Sequence, residues 1–186
     1  TRYISVTGVQ TCALPILHLE LSRLINRELA TLRDELLAYP DEREIWARPI
    51  GTPNSAGTLT LHLCGNLRWY IGAQYGATGY IRDRDKEFSD RGVPREQLLQ
   101  LIAATADEVS RTLATFDPSH FDRPYPIEVG GQHCPADRYL LHLMVHLGYH
   151  LGQVDYHRRV VTGSSASVAA LSSARSEEHT SELQSH

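Results

Sequence analysis

Three histidines stand four residues apart near the C-terminal end of this 186-residue chain: His142, His146 and His150, within the run LLHLMVHLGYHLGQ. An α-helix turns about 100° per residue, so side chains four apart differ by about 40° and stack one turn above the next. Neighbouring imidazoles in such a row can point at one ion. A second pair, His62 and Asn66, has the same spacing upstream. Zinc and nickel accept imidazole nitrogen, and a catalytic zinc commonly keeps three protein ligands and one open position. Two ligands on one helix and a third on its neighbour build such a tripod, an arrangement typical of metal sites in helical bundles. The spacing is equally compatible with histidines packed at helix contacts, and it leaves open which members of the row would serve.

Four amphipathic segments supply the helices that must position them. Leu21, Ile25, Leu29, Leu32 and Leu36 repeat every three or four residues and predict a helix over 17–38, ended by Tyr39 and Pro40. A loop rich in Pro, Gly, Asn and Ser follows from Pro49 to Gly57. The second helix is expected over 58–77, with Leu59, Leu63 and Leu67 on one stripe and Gly72, Gly76 and Gly79 weakening its end. IRDRDKEFSDRG reads as a polar connection leading to Pro94 in the first turn of a third helix, whose stripe is Leu98, Ile102, Val109, Leu113 and Phe116. YPIEVGGQHC changes period, and its Gly-Gly pair predicts a short hairpin-like connection. The last helix is expected over 135–161, with Leu140, Met144, Leu147, Leu151 and Val154 inward; SASVAALSSA can add a short turn beyond it. Together these predict an all-α four-helix bundle.

The two ends read differently. Residues 6–16 and 175–185 can be encoded by DNA strings that are, apart from a few end bases, reverse complements of one another, and the string resembles a widely used sequencing adapter. Residues 1–16 and 175–186 are therefore expected to be non-native tails flanking a domain over 17–174. Setting aside Arg2, Arg175, Glu177, Glu178 and Glu182 moves the formal net charge from −4 to −3. That balance, with no basic run, gives no footprint for nucleic acid. No apolar stretch approaches the roughly 20 residues of a membrane span. Outside the tails only Cys64 and Cys134 remain, which points to a reducing compartment, the cytoplasm, and to no disulfide framework.

The last-helix run resembles the motif LLHxxxHxxYHxGQ of the DinB-like (YfiT-type) metalloenzyme family. The likeness extends more weakly over 17–162, through a tryptophan-containing loop (Trp46), a histidine in the second helix and a long third helix. The resemblance implies that His62, His146 and His150 hold a divalent metal, zinc or nickel. His142 occupies the first histidine of the motif, which the family does not normally use as a ligand. It is expected to pack or to support the site beside Asn66, Tyr149 and Gln153. His157 lies two turns past His150, about 10 Å along the axis from it, too far to share an ion with His146. His120 and His133 are expected in solvated loops, and Cys64, pointing about 200° away from His62, as an apolar filler.

The family includes enzymes that use low-molecular-weight thiols such as bacillithiol, mycothiol or glutathione. The resemblance thus implies metal-dependent thiol transfer to a small-molecule substrate, the nucleophile coming from the cosubstrate, and self-association as a homodimer. Two other readings stay open: metal-assisted hydrolysis, for which Asp155 is the candidate base, and a non-catalytic metal- or ligand-binding module with His142 or Asn66 closing the coordination sphere.

Overall fold

The structure is a computed structural model that describes residues 16–168. Apart from Ile16, both expected tails lie outside the described residues, as does most of SASVAALSSA. Helix α1 spans Leu17–Leu37, and a 3-10 turn, Glu42–Trp46, follows it. Helix α2 spans Ala56–Leu67 and runs through a π-helical stretch, Arg68–Ala73, into the short α3, Gln74–Gly76. Then come α4 (Arg84–Ser89), α5 (Arg95–Ala114), a 3-10 turn (Pro118–Asp122) and α6 (Ala136–Thr162). α1 packs on α5 and α6, and α2 packs on α4, α5 and α6, which makes α1, α2, α5 and α6 the four members of a bundle.

The leucine stripes fill its interior. Leu21, Ile25, Leu29, Leu32 and Leu36 of α1 are buried against Leu59, Leu63 and Leu67 of α2, Leu98, Ile102, Val109 and Leu113 of α5, and Leu140, Leu147, Leu151 and Val154 of α6. Burying each such side chain contributes roughly 1.5–3 kcal/mol. Leu143 takes the buried place expected of Met144, which is only half-buried at the edge of the core.

Local chemistry sets the ends. Asp41 and Glu44 form a capping box at the first 3-10 turn. That turn delivers Trp46, whose Nε1 donates to the Val93 carbonyl at 3.1 Å. A Cβ at Gly57 would stand 2.7 Å from the Trp46 ring, so the start of α2 needs a glycine there. α2 begins two residues earlier than the sequence suggests because the Ser55 hydroxyl accepts from Thr58 N at 3.2 Å and caps it. Gly72 and Gly76 have a packing role besides weakening the helix: a Cβ on either would collide with Glu108 or Thr112 of α5. Pro94 and Pro135 sit one residue outside α5 and α6, at the N-cap.

Between the 3-10 turn at Pro118–Asp122 and α6 the chain forms the expected hairpin-like connection. Val129 and Gln132 exchange backbone hydrogen bonds around Gly130 and Gly131, both with positive φ (59° and 75°). That pair of left-handed residues is the tight turn glycines favour. Pro124 bridges Pro135, but neither has an N–H to extend a ladder, and no strand forms among the described residues. No described helix is long and apolar enough to cross a membrane.

Candidate metal centre

α2 and α6 bring His62, His146 and His150 together at one point of the bundle. One ring nitrogen from each lies within 4.8 Å of the others. His62 Nε2 and His146 Nε2 are 3.2 Å apart. Two nitrogens bound at about 2.0–2.1 Å to one tetrahedral ion stand about 3.3 Å apart, so this spacing fits a shared ion. The three rings meet edge to face, with interplanar angles of 75°, 88° and 86° and centroids 5.1, 5.3 and 4.6 Å apart. His62 is buried; His146 and His150 are half-buried and face the bundle edge.

Proton placement decides whether such nitrogens can take a cation. His62 Nδ1 lies 3.0 Å from Glu87 Oε2. Burial works to raise the Glu87 pKa, but hydrogen bonds from Arg82 and His62 outweigh it and hold the carboxyl below its usual range. The ionised carboxylate can only accept, so His62 Nδ1 donates to it, and in the neutral ring Nε2 is the nitrogen with the free lone pair. Arg82 forks onto the same carboxylate, Nε to Oε1 at 2.6 Å and Nη2 to Oε2 at 2.7 Å. On α6, His150 Nδ1 donates to Gln153 Oε1 at 2.7 Å, which frees His150 Nε2 in the same way. Burial, then the neighbouring His150 and His62, pushes the His146 pKa down to about 4. Burial also lowers that of His150, against the opposing hydrogen bond from Gln153. The two α6 imidazoles therefore stay neutral and keep lone pairs available at neutral pH. His146 Nδ1 is buried without a hydrogen-bond partner among the described residues.

The supporting residues fall in varied places. Gln153 orients His150. Tyr149 is exposed, its ring edge-on to His150 at 5.2 Å. His142 is exposed and stacks on Tyr139 at 5.7 Å, with its ring 6.1 Å from that of His146. Asn66 is buried one turn past His62, and its Oδ1 has no hydrogen-bond partner among the described residues. Cys64 is a fully buried core residue whose thiol burial pushes up to about 12. His157 is buried elsewhere: Tyr39 Oη donates to its Nδ1 at 2.7 Å and its Nε2 donates to the Ala47 carbonyl at 2.8 Å. His133 is exposed and lies 3.3 Å from Glu128. His120 differs from expectation, being half-buried against the rings of Tyr75 and Phe116 rather than solvated. Asp155 also differs: it is tied to Arg158 at 3.0 Å and Arg159 at 2.9 Å. Nine residues past His146, it points to the opposite side of α6 from that ring.

Glu87 and Arg82 were missed in the sequence, where their segment reads as a polar connection. α4, capped by the Asp83 side chain accepting from Lys86 N at 3.1 Å, docks on α2 and sets Phe88 against the His62 ring at 4.9 Å. The Glu87 carboxylate comes so close to α2 that a Cβ at Gly65 would strike it. Beside His150 a cleft of about 370 Å³ opens, walled by Pro53, Leu59, Tyr149, Tyr156 and Val160, with Asn54 and Gln153 as polar groups.

No curated protein and no solved structure matches the chain in comparison. The family model of the DinB superfamily matches residues 24–154, from within α1 through most of α6. That match encloses α2, the α4 segment and all three converging histidines, and by it the chain belongs to the DinB superfamily.

Proposed function

We propose that this chain binds a divalent metal, zinc or nickel, through His62, His146 and His150 and serves as a metal-dependent transferase for a low-molecular-weight thiol. The observation that carries the metal reading is the convergence of three imidazole nitrogens, two of them on rings whose other nitrogen is held as a donor by Glu87 and Gln153. When bound, such an ion supplies Lewis acidity and lowers the pKa of a thiol. The chain's own residues hold and orient the ion, and the walls of the adjoining cleft exclude water from a small-molecule acceptor. Thiol transfer is supported by the resemblance of the α6 motif. Hydrolysis has less support, because Asp155 is bound to two guanidiniums and Glu87 is committed to His62 and Arg82.

One observation favours a second reading. Asn66 Oδ1, buried without a partner among the described residues, is a candidate fourth ligand; closing the sphere with it would make the protein a non-catalytic metal-binding module.

The test is a titration of the metal-stripped chain with zinc and with nickel, bound metal being read by native mass spectrometry. His146→Ala and His150→Ala should lose near-stoichiometric binding, and His142→Ala should keep it. A chain that folds and binds neither ion above micromolar affinity rules the proposal out. Turnover of glutathione, bacillithiol or mycothiol with a chromogenic aryl chloride then separates transferase from module.

A further inference from the structure

The cleft beside His150 is open but uncharged: no Asp, Glu, Lys or Arg lines it. Leu59 is buried in its wall, whereas Tyr149, Tyr156 and Val160 line it while 65 %, 72 % and 63 % exposed. Apolar side chains left open around a hollow are what a bound molecule would cover. An apolar wall with a few polar groups is the usual make-up of a small-molecule site. The volume of about 370 Å³ lies at the low end of the roughly 300–1,000 Å³ such sites span, which suits a molecule of one or two rings.

The polar groups of the wall narrow the occupant further, because most are already engaged. Thr52 Oγ1 donates to the Pro49 carbonyl at 2.6 Å. Gln153 Oε1 accepts from His150 Nδ1 at 2.7 Å. Both nitrogens of His157 are taken by Tyr39 and the Ala47 carbonyl, and burial holds its pKa below the usual range, so it adds no charge at neutral pH. What remains for a ligand is neutral: the half-buried Asn54 amide and the hydroxyls of Tyr149 and Tyr156. A charged group carried into this wall would lose its water and meet no partner, which is costly. An aromatic ring would meet two tyrosine rings and the flank of Pro53.

We propose that this cleft selects the acceptor and that the acceptor is an uncharged aromatic electrophile of one or two rings, its body between Tyr149 and Tyr156 and its polar substituent at Asn54. The inference rests on the thiol-transfer reading and gives its second substrate a chemical class. His150 belongs both to the cleft wall and to the histidine cluster, so a ring held there has its edge beside the ion site. The thiol sulfur takes the open position of the ion, so the ion does not serve as counter-charge for the acceptor. For an aryl halide, the thiol proton goes to solvent, sulfur forms the new bond to the ring carbon, and halide departs with the electron pair of the bond that breaks.

The test is equilibrium dialysis of the full, metal-stripped chain against naphthamide and against naphthoate, an anion of nearly the same shape. Stripping the metal removes direct coordination of naphthoate from the comparison. Naphthamide should bind at least about 10-fold tighter than naphthoate, since only the anion buries an unpaired charge. Tyr156→Ser, which removes one ring from the wall, should weaken naphthamide by about 3–10-fold. Leu141→Ser, at an exposed α6 residue outside the cleft, should leave it unchanged. Both changes lie on the surface, and unchanged far-ultraviolet circular dichroism confirms the fold. Absent naphthamide binding, equal binding of the anion, or indifference to Tyr156→Ser each overturns the proposal. The zinc titration of the same chain is read separately. A chain that takes zinc but prefers naphthoate overturns the acceptor class alone, whereas one that binds naphthamide and no zinc overturns the metal reading and the acceptor role with it.

Discussion

Glu87 Oε2 stands 3.0 Å from His62 Nδ1, while the opposite nitrogen of that ring stands 3.2 Å from His146 Nε2. One imidazole thus joins a buried carboxylate on α4 to the α6 histidines. The carboxylate fixes the tautomer and raises the basicity of the far nitrogen, as carboxylates beside metal-binding histidines do. Glu87→Gln should therefore lower zinc affinity by about 10–100-fold while the helical content stays the same. Calorimetric titration reads this directly; an unchanged affinity would show that Glu87 does not support the ion.

Gly65→Ala offers an independent route to the same carboxylate. The added methyl group strikes the Glu87 side chain, which must withdraw from His62. Zinc affinity should fall in the same direction as for Glu87→Gln. Combining the two changes should add little, since both act through one contact. A fully additive pair would place the effect of Gly65 elsewhere.

Stability of the metal-free protein should depend on pH through its buried histidines. Burial lowers the pKa of His157, and burial with neighbouring histidines brings His146 to about 4. In the unfolded chain both take up a proton near pH 6.5. The folded form stays neutral there, so stability present above that pH is lost as pH falls through the unfolded value. His157, the more enclosed, contributes up to about 1.4 kcal/mol per pH unit; His146, partly open to solvent, contributes less. Urea midpoints at decreasing pH should shift downward, and less steeply in His157→Gln. A flat profile for the parent contradicts the assignment of neutral buried histidines.

Arg158 of α6 is 1 % exposed and donates to Glu35 of α1, to Asp155 and to the Ala166 carbonyl. Removing one member of a buried ion pair costs about 3–5 kcal/mol because the other charge is stranded. Glu35→Met should cost at the lower end of that range, since Asp155 still faces the guanidinium. Adding Arg158→Met should recover part of the loss. Denaturant unfolding of the two single variants and the double closes the cycle, and strict additivity would mean the pair is not coupled.

The bundle was legible where one period persisted. The leucines of α1, four and three apart, can be satisfied only by a helix with one buried side. The Gly-Gly pair at Gly130 and Gly131 announced its turn because few other residues accept positive φ. The α6 histidines were legible as a row, since helical spacing alone stacks them. Glu87 was not, because its value depends on His62, 25 residues away, and α4 carries little apolar signal beyond Phe88. The packing role of Gly72 was hidden for a similar reason: a lone glycine reads as a helix-weakener until the Glu108 side chain is seen against it. Asp155 looked free for chemistry because its arginine partners are common surface residues. Only the fold shows that one of them, Arg158, is sealed in the core.

α4 is six residues long, far shorter than a helix that persists alone, and it exists by docking on α2. The electronic character of the His62 nitrogen is thus governed from an appendage outside the four-helix frame. Exchanging that appendage would retune the reactivity of a held ion, through the charge and distance of one carboxylate, while the histidine tripod and the leucine interior stay as they are.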